Sequence, residues 1–217
     1  MALISNRDLL KRVPLFSSLT ETQISVLEGA FTKKKFNRNT LIVQQGQRSS
    51  IFFVILIGSA HVVTKDDRGR EVIFAILNQG DYFGEMSLID GEPHSTSVKT
   101  VIPTDVLMLE RQAFDFCLPA SHSLQHSVML NLVQRLRAAD RKIESLALMN
   151  AEERIIHFLK ELARPDEEGN MVIQERISPI HVSKSVGTSR EMAARVIKRL
   201  RDDGMIVMRP DGSCSIK

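Results

Sequence analysis

The chain has 217 residues, 43% of them hydrophobic and 25% charged, enough for one or two packed domains. Its 29 lysines and arginines against 26 acids leave a formal charge of +3, so a polyanion-binding surface must come from local clustering. Two cysteines, Cys117 and Cys214, exclude a disulfide framework, a cysteine zinc site and a four-cysteine iron–sulfur site, and the longest apolar run, Ile51 to Ile57, is too short to span a bilayer.

In chain order, residues 1–8 carry no charged stretch followed by an apolar signal core, so the expectation is a cytoplasmic protein without membrane contact. Leu9 to Ala30 reads as short helices, with a capping-box start at Thr20 and Gln23 and a buried side of Ile24, Leu27 and Phe31. From Lys33 to Glu110 the character changes to short β-branched and aromatic runs: 41–44, 51–57, 60–64, 72–77, 97–101 and 106–110. Gly46, Gly58, Gly69 and Gly80 punctuate this region at spacings of 12, 11 and 11, the rhythm of a barrel or sandwich. Asp66-Asp67-Arg68-Gly69 reads as a hairpin loop.

Helix returns near Arg111 and continues to about Ala163. Between Gln125 and Asn150 a seam of Gln125, Met129, Leu132, Leu136, Ala139, Ile143, Leu146 and Asn150 alternates steps of four and three, as a two-helix coiled coil requires. The same stripe also suits packing on the chain's own barrel. Val128, Val133 and Leu148 lie off the seam, which allows one face for the barrel and another for a partner. His122 and His126 have metal-ligand spacing, but without a third ligand nearby they read as solvated. Residues 164–170 form a polar, turn-rich loop, and 205–208 with 213–216 flank Pro210-Asp211-Gly212 as a β-hairpin wing.

The segment from Ser178 to Leu200 carries the most functional information. It reads as two short helices joined by a turn at Gly187. In the second, Ala193, Val196, Ile197 and Leu200 form an apolar stripe, while Arg190, Glu191, Arg195 and Lys198 lie largely off it. Thr188 with Glu191 fits a capping box that needs no further role. The charges from Lys184 to Arg201 are nevertheless one-sided, with Lys184, Arg190, Arg195, Lys198, Arg199 and Arg201 against Glu191 alone. Two guanidinium forks and a carboxylate at the entering end of a helix held from behind suit a DNA major groove.

Three blocks together resemble the cyclic-AMP receptor protein/fumarate–nitrate regulator (CRP/FNR) family of bacterial transcription regulators. The first, Gly80-Asp81-Tyr82-Phe83-Gly84-Glu85-Met86-Ser87-Leu88 with Ser95, is similar to the family's phosphate-binding cassette. The second is the long helix ending in Leu146-Ala147-Leu148-Met149, and the third, Val186-Gly187-Thr188-Ser189-Arg190-Glu191 with Arg195, is similar to its recognition helix. The resemblance implies an α+β fold with three parts. They are an N-terminal β-roll of the cyclic-nucleotide-binding, jelly-roll type over 1–120, a dimerisation helix and hinge over 121–150, and a winged helix-turn-helix over 151–217.

Residue by residue, the resemblance has Arg190 and Arg195 each reach a guanine and Glu191 a cytosine N4, pairings their chemistry suits. Thr188 or Ser189 would contact phosphate, and Lys198 completes the DNA-binding set. The implied partner is double-stranded DNA with inverted GTGA-type half-sites, centres about 34–36 Å apart, bound by a homodimer that works with RNA polymerase.

In the cassette, Gly84, Glu85, Met86, Ser87, Ser95 and Thr96 are the implied effector contacts, but the family's phosphate-neutralising arginine is replaced by His94. On the long helix, Ala139 and Asp140 stand where cyclic-AMP receptors place hydroxyl residues. Neutral imidazole lacks arginine's bidentate fork. Three readings stay open: cyclic di-GMP, with Asp140 accepting guanine N–H bonds and Arg135, Arg137 or Arg141 meeting phosphates; weak cyclic-AMP binding, with His94 protonated; or no small molecule. No cofactor beyond such an effector is expected.

Among function classes, a sequence-specific transcription regulator leads. A nucleotide-binding module that docks on a protein partner through the basic helix is the alternative. An enzyme is not expected, since no nucleophile elbow, Gly-x-x-x-x-Gly-Lys run or set of metal ligands is present, and no catalytic or metal residue is assigned.

Overall fold

The computed structural model describes residues 19–216 except 68, 114–121, 175 and 210–212, together with Arg7, Lys11, Val13 and Phe16. Cys117 and the turn at 210–212 therefore lie outside the described residues, as do Arg68 of the 66–69 loop and the side chain of His122. Contacts divide the chain into two units, one of residues 1–66 and 74–136, the other of 67–73 and 137–217.

The first unit opens with α1 (Glu21–Ala30), capped as its sequence demands: the Thr20 hydroxyl accepts from the Gln23 N–H, and Gln23 Oε1 accepts from the Thr20 N–H at 2.9 Å. Strands follow as β1 (Phe31–Phe36), β2 (Leu41–Val43), β3 (Ile51–Ile57), β4 (Ala60–Lys65), β5 (Glu71–Leu77) and β6 (Tyr82–Phe83). Helix α2 (Glu85–Asp90) then precedes β7 (Ser97–Thr100) and β8 (Thr104–Glu110). They form two four-stranded sheets ordered β1-β8-β3-β6 and β2-β7-β4-β5. The register is antiparallel, with Phe31 opposite Leu109 in β1–β8 and Phe53 opposite Phe83 in β3–β6.

β3 explains its own composition. Phe53 and Ile55 enter a core shared by both sheets, with Val43, Ala60, Leu77, Phe83 and Val98. Phe52, Val54 and Leu56 point the other way, into a core with Leu27 of α1, Tyr82, Leu88 and Val128. A strand buried on both faces loses the apolar–polar alternation and reads as one continuous run.

Strand β1 was not anticipated. Its sequence, Phe-Thr-Lys-Lys-Lys-Phe, places three lysines at exposed positions and buries only its terminal phenylalanines, so the chain signals helix up to Phe31 while Phe31 already pairs with β8.

Helix α3 (His122–Leu148) is the long helix. The chain then breaks at Asn150, whose side chain accepts from the N–H groups of Glu152 and Glu153 while Glu153 bonds back to the Asn150 N–H. Asn150 is therefore a cap and not the last rung of a seam. Of the other seam residues, Met129, Leu136, Ile143 and Leu146 are exposed in the chain, and Leu132 packs with buried Val128 on the roll core.

The second unit continues with α4 (Ala151–Leu162), β9 (Arg164–Pro165), β10 (Met171–Ile173), α5 (Pro179–Val186), α6 (Arg190–Asp202), β11 (Ile206–Met208) and β12 (Cys214–Ile216). The sheet order is β11-β12-β10-β9. The segment read as a loop at 164–170 is the turn of the β9–β10 hairpin: the Asp166 carboxylate accepts from the Glu168 and Asn170 N–H groups and from Arg209 at 2.8 Å. A core of Ile155 and Leu159, Val182 and Val186, and Ala193, Val196, Ile197 and Leu200 joins α4, α5 and α6.

Candidate nucleic-acid interface and effector cassette

The candidate recognition element is built from its turn outward. α5 ends at Gly187, whose backbone is left-handed (φ 70°), the conformation that lets its N–H return to the Ser183 carbonyl and the chain reverse into α6. The N-cap of α6 is Ser189, its hydroxyl accepting from the Met192 N–H at 3.1 Å, so the proposed Thr188–Glu191 box is corrected to a cap one residue later. The side chain best placed to cap is the one immediately preceding the first helical residue, and Thr188 stands one residue too early.

Ala193, Val196, Ile197 and Leu200 are all buried, as their spacing foretold, and they fix the rotation of α6. Arg190, Glu191, Arg195 and Lys198 are left exposed on the opposite side. Glu191 is held below its ordinary pKa by its own backbone N–H, the Ser189 hydroxyl and Arg190, and so presents a carboxylate at neutral pH. The basic cluster is less uniform than the sequence suggests: Lys184 pairs with Glu71 at 2.7 Å, and Arg199 with Glu152. Arg190, Arg195, Lys198 and Arg201 remain on the outer side of α6.

The cassette lies within the first unit. Gly84 is left-handed (φ 89°), and a Cβ there would fall 2.6 Å from the Ile51 carbonyl oxygen, so no other residue fits between β6 and α2. Glu85 follows as the first residue of α2 and is 1% exposed. Its Oε1 accepts from Arg135 Nη1 at 2.7 Å, whereas Oε2 has no partner among the described residues. Burial raises its pKa, partly opposed by Arg135. Arg135 also donates to the Tyr82 carbonyl and lies 5.5 Å from the Tyr82 ring centroid. Burial pushes the Tyr82 phenol up to about 12.

His94 is buried. Ser49 Oγ lies 2.7 Å from Nε2 and Ser87 Oγ 3.0 Å from Nδ1, while its backbone exchanges bonds with Gly46 and Gln47. Burial lowers its pKa, so the ring is neutral, and two rotatable hydroxyls satisfy its one donor and one acceptor. Gly84, Glu85, Met86, Ser87, His94, Ser95 and Thr96 together line a cavity of about 60 Å³ that Arg135 completes. That is smaller than the roughly 300–1,000 Å³ of typical small-molecule sites. Asp140 is exposed on α3 in the second unit.

Ser49 escaped the sequence, and Arg135, expected as a candidate phosphate contact, pairs with Glu85 instead. Ser49 is separated from His94 by 45 positions and no pattern links them. Arg135 carried a usable signal, because it shares a helix face with Val128 and Leu132, both turned toward the roll. Among the described residues no group of acidic, histidine or cysteine side chains forms a metal site, and no helix is long and apolar enough to cross a membrane.

The cyclic nucleotide-binding domain family matches residues 33–120, and the Crp-like helix-turn-helix domain family matches residues 153–217. The cAMP-activated global transcriptional regulator Vfr of Pseudomonas aeruginosa is 28% identical over 180 residues, 80% of this chain and 84% of that protein. The cAMP-activated global transcriptional regulator CRP of Escherichia coli O6:H1 is 28% identical over 175 residues, 79% of this chain and 83% of that protein. Among solved structures, the c-di-GMP responsive global regulator CLP of Xanthomonas campestris superposes with a TM-score of 0.76 at 22% identity, over 91% of this chain and 98% of that one. A roll with a glycine turn before α2, a long helix and a helix-turn-helix with a sheet flanking it thus coincide with both domain families, and the chain belongs to the CRP/FNR family of DNA-binding transcription regulators, which are not enzymes.

Proposed function

We propose that the protein is a cytoplasmic homodimer that reads inverted GTGA-type half-sites through Arg190, Glu191 and Arg195, and acts with RNA polymerase. The observation that carries this reading is the division of α6 into a buried face of Ala193, Val196, Ile197 and Leu200 and an exposed face bearing both guanidinium groups. Arginine matches guanine O6 and N7, and the Glu191 carboxylate accepts from cytosine N4. Thr188 and Ser189 stand at the entrance of α6, where a phosphate would be met; the Ser189 hydroxyl accepts from the Met192 N–H and also bonds the Glu191 carboxylate, so the phosphate contact is assigned to Thr188. Support for dimerisation comes from Met129, Leu136, Ile143 and Leu146, exposed apolar residues in coiled-coil order.

The cassette is the proposed effector site. Cyclic di-GMP and weakly held cyclic AMP both remain candidates, and relatives named for each are among the similar proteins. A neutral, hydroxyl-bound His94 weighs against tight cyclic-AMP binding. A second reading, a regulator that needs no small molecule, is favoured by one observation: Arg135 already neutralises Glu85 inside a cavity of about 60 Å³. A ligand of nucleotide size therefore requires Arg135 or the cassette to move.

The test is a gel shift of the full chain on a GTGA-type palindrome and on a scrambled duplex, with and without each nucleotide. Preference for the palindrome supports the reading, and equal retention of both duplexes would overturn it. Stimulation by one nucleotide identifies the effector; identical retention with and without both favours the unliganded reading.

A further inference from the structure

In the second unit, one side chain joins the end of α3 to the end of α5. Arg154, half-buried near the start of α4, donates from Nη1 to the Met149 carbonyl at 2.9 Å and from Nε to the Val186 carbonyl at 3.2 Å. We propose that Arg154 is a positioning residue that fixes the spacing between the two DNA half-sites without itself touching DNA. This role rests on the homodimeric, inverted half-site reading and adds to it the residue that sets the distance between the two reading helices.

The bonded carbonyls close two helices. The Met149 N–H still bonds the Ser145 carbonyl, so Met149 ends α3, and Val186 is the last residue of α5 before the left-handed Gly187. Carbonyls at a helix end have no N–H ahead of them and favour a cation. Any cation would meet that preference. A guanidinium does more, because its donors sit in a rigid planar fork: holding two carbonyls at once fixes one helix end against the other, whereas an ammonium is a point charge on a flexible stem.

α4, α5 and α6 share one core and turn as a body, and the chain breaks between that body and α3 at Asn150. Arg154 crosses the break. Glu152 and Arg199 also pair beside it, but both are exposed, so water and salt screen them. Leverage makes the angle at the break matter. Arg190 stands nine residues before Arg199 on α6, about 13 Å along the helix axis. A change of about 15° at the break therefore moves Arg190 by about 3.4 Å, one base-pair step. Ile143 and Leu146 of the proposed seam lie on the α3 side of the break, within the same unit, so the angle held by Arg154 is the angle between each reading helix and the seam.

The test uses the full chain, Arg154→Lys, Arg154→Gln, and Arg195→Ala as a contrast. Affinity is measured on GTGA-type palindromes whose half-sites are moved together or apart by one and two base pairs, and on single-base variants at the preferred spacing. Thermal unfolding checks the fold. The wild type should prefer one spacing. Both Arg154 variants should bind that spacing more weakly and its neighbours relatively better, the ratio between them shrinking by about tenfold or more, as for the loss of one charge-assisted hydrogen bond. The bases preferred within each half-site should stay those of the wild type. Arg195→Ala should do the reverse, relaxing base preference while the spacing ratio holds. A folded Arg154 variant that weakens every spacing alike, or keeps the wild-type ratio, would overturn the positioning role. Failure of both variants to fold overturns it too, since Arg154→Lys retains the charge beside the two carbonyls and would show Arg154 to be needed for folding itself. A wild type indifferent to spacing removes the half-site reading beneath the proposal, a failure seen on the unmodified chain and so distinct from the others.

Discussion

Arg135 Nη1 donates to Glu85 Oε1 at 2.7 Å across 50 positions of sequence, and the same guanidinium bonds the Tyr82 carbonyl. One side chain of α3 therefore holds both β6, an edge strand of its sheet, and the first residue of the cassette helix. Arg135 is 36% exposed and Glu85 1%, so the pair is asymmetric: removing the arginine strands a carboxylate that water cannot reach. Arg135→Ala is expected to destabilise the protein by about 2–3 kcal/mol, less than a fully buried pair because solvent screens the arginine side. Glu85→Gln in the same background should recover part of the loss, since it removes the stranded charge. Urea unfolding of the two variants decides it: a double variant no more stable than Arg135→Ala contradicts the pairing.

His94 sets a pH dependence. Its folded pKa lies below the ordinary 6.5 because burial disfavours the imidazolium. A lowered folded value means that the unfolded chain binds the proton more readily. The stabilising contribution is therefore complete above the unfolded value and is lost as pH falls through the folded one. The wild type should lose more thermal stability than His94→Asn between about pH 7.5 and about pH 5.5, a window set by the histidine range. Parallel curves for the two proteins would mean that the ring is freely protonated in place.

Replacing His94 by arginine tests the effector site. In the resemblance this position holds the phosphate-neutralising fork, and a charge-assisted contact of that kind is worth about 2–3 kcal/mol. Calorimetry of His94→Arg against cyclic AMP should register an affinity about thirty- to a hundred-and-fiftyfold above that of the wild type. An unchanged isotherm indicates that the Ser49 and Ser87 hydroxyls, and not the missing charge, determine what the cassette accepts.

The residues that the sequence made legible are those whose role is local and periodic. The Thr20 cap, the run at Ile51–Ile57 and the apolar stripe of α6 were each readable because neighbours three or four apart, or an unbroken apolar run, define them. β1 was not readable, because three consecutive lysines hide a strand whose pairing with β8 is made far away in sequence. The Thr188 cap erred by one residue because Thr188 and Ser189 are both good caps and only the turn at Gly187 decides between them. At the cassette, Glu85 was legible from its motif, but its charge partner and the clasp on His94 depend on how α3 and the loop at Ser49 reach it. Tertiary contacts of that kind leave no short-range signature.

The exposed seam gives a direct prediction for assembly. Leu136 and Ile143 are 62% and 64% exposed in the chain, seven residues apart on one face of α3. Ile143→Lys places a charge where the proposed partner helix packs, and burying an unpaired ammonium there is too costly for the dimer to form. Sedimentation should find the wild type as a dimer and the variant as a folded monomer, its roll core unaffected because that core is completed by Val128 and not by Ile143. A variant that sediments with the wild type places the contact elsewhere.

Arg195 separates base reading from phosphate binding. Its Cβ projects from the first half of α6, and its helix is fixed in rotation by Ala193, Val196, Ile197 and Leu200 on the far side. A bidentate arginine–guanine pair contributes about 1–3 kcal/mol of discrimination. Arg195→Ala should therefore weaken the palindrome by that amount, relax preference at one base pair of each half-site, and change the salt slope little. Competition binding against single-base variants of the palindrome measures each of these. Uniform weakening across all of them, with a slope reduced by about one, would reassign Arg195 to the backbone and leave Arg190 and Glu191 as the reading pair.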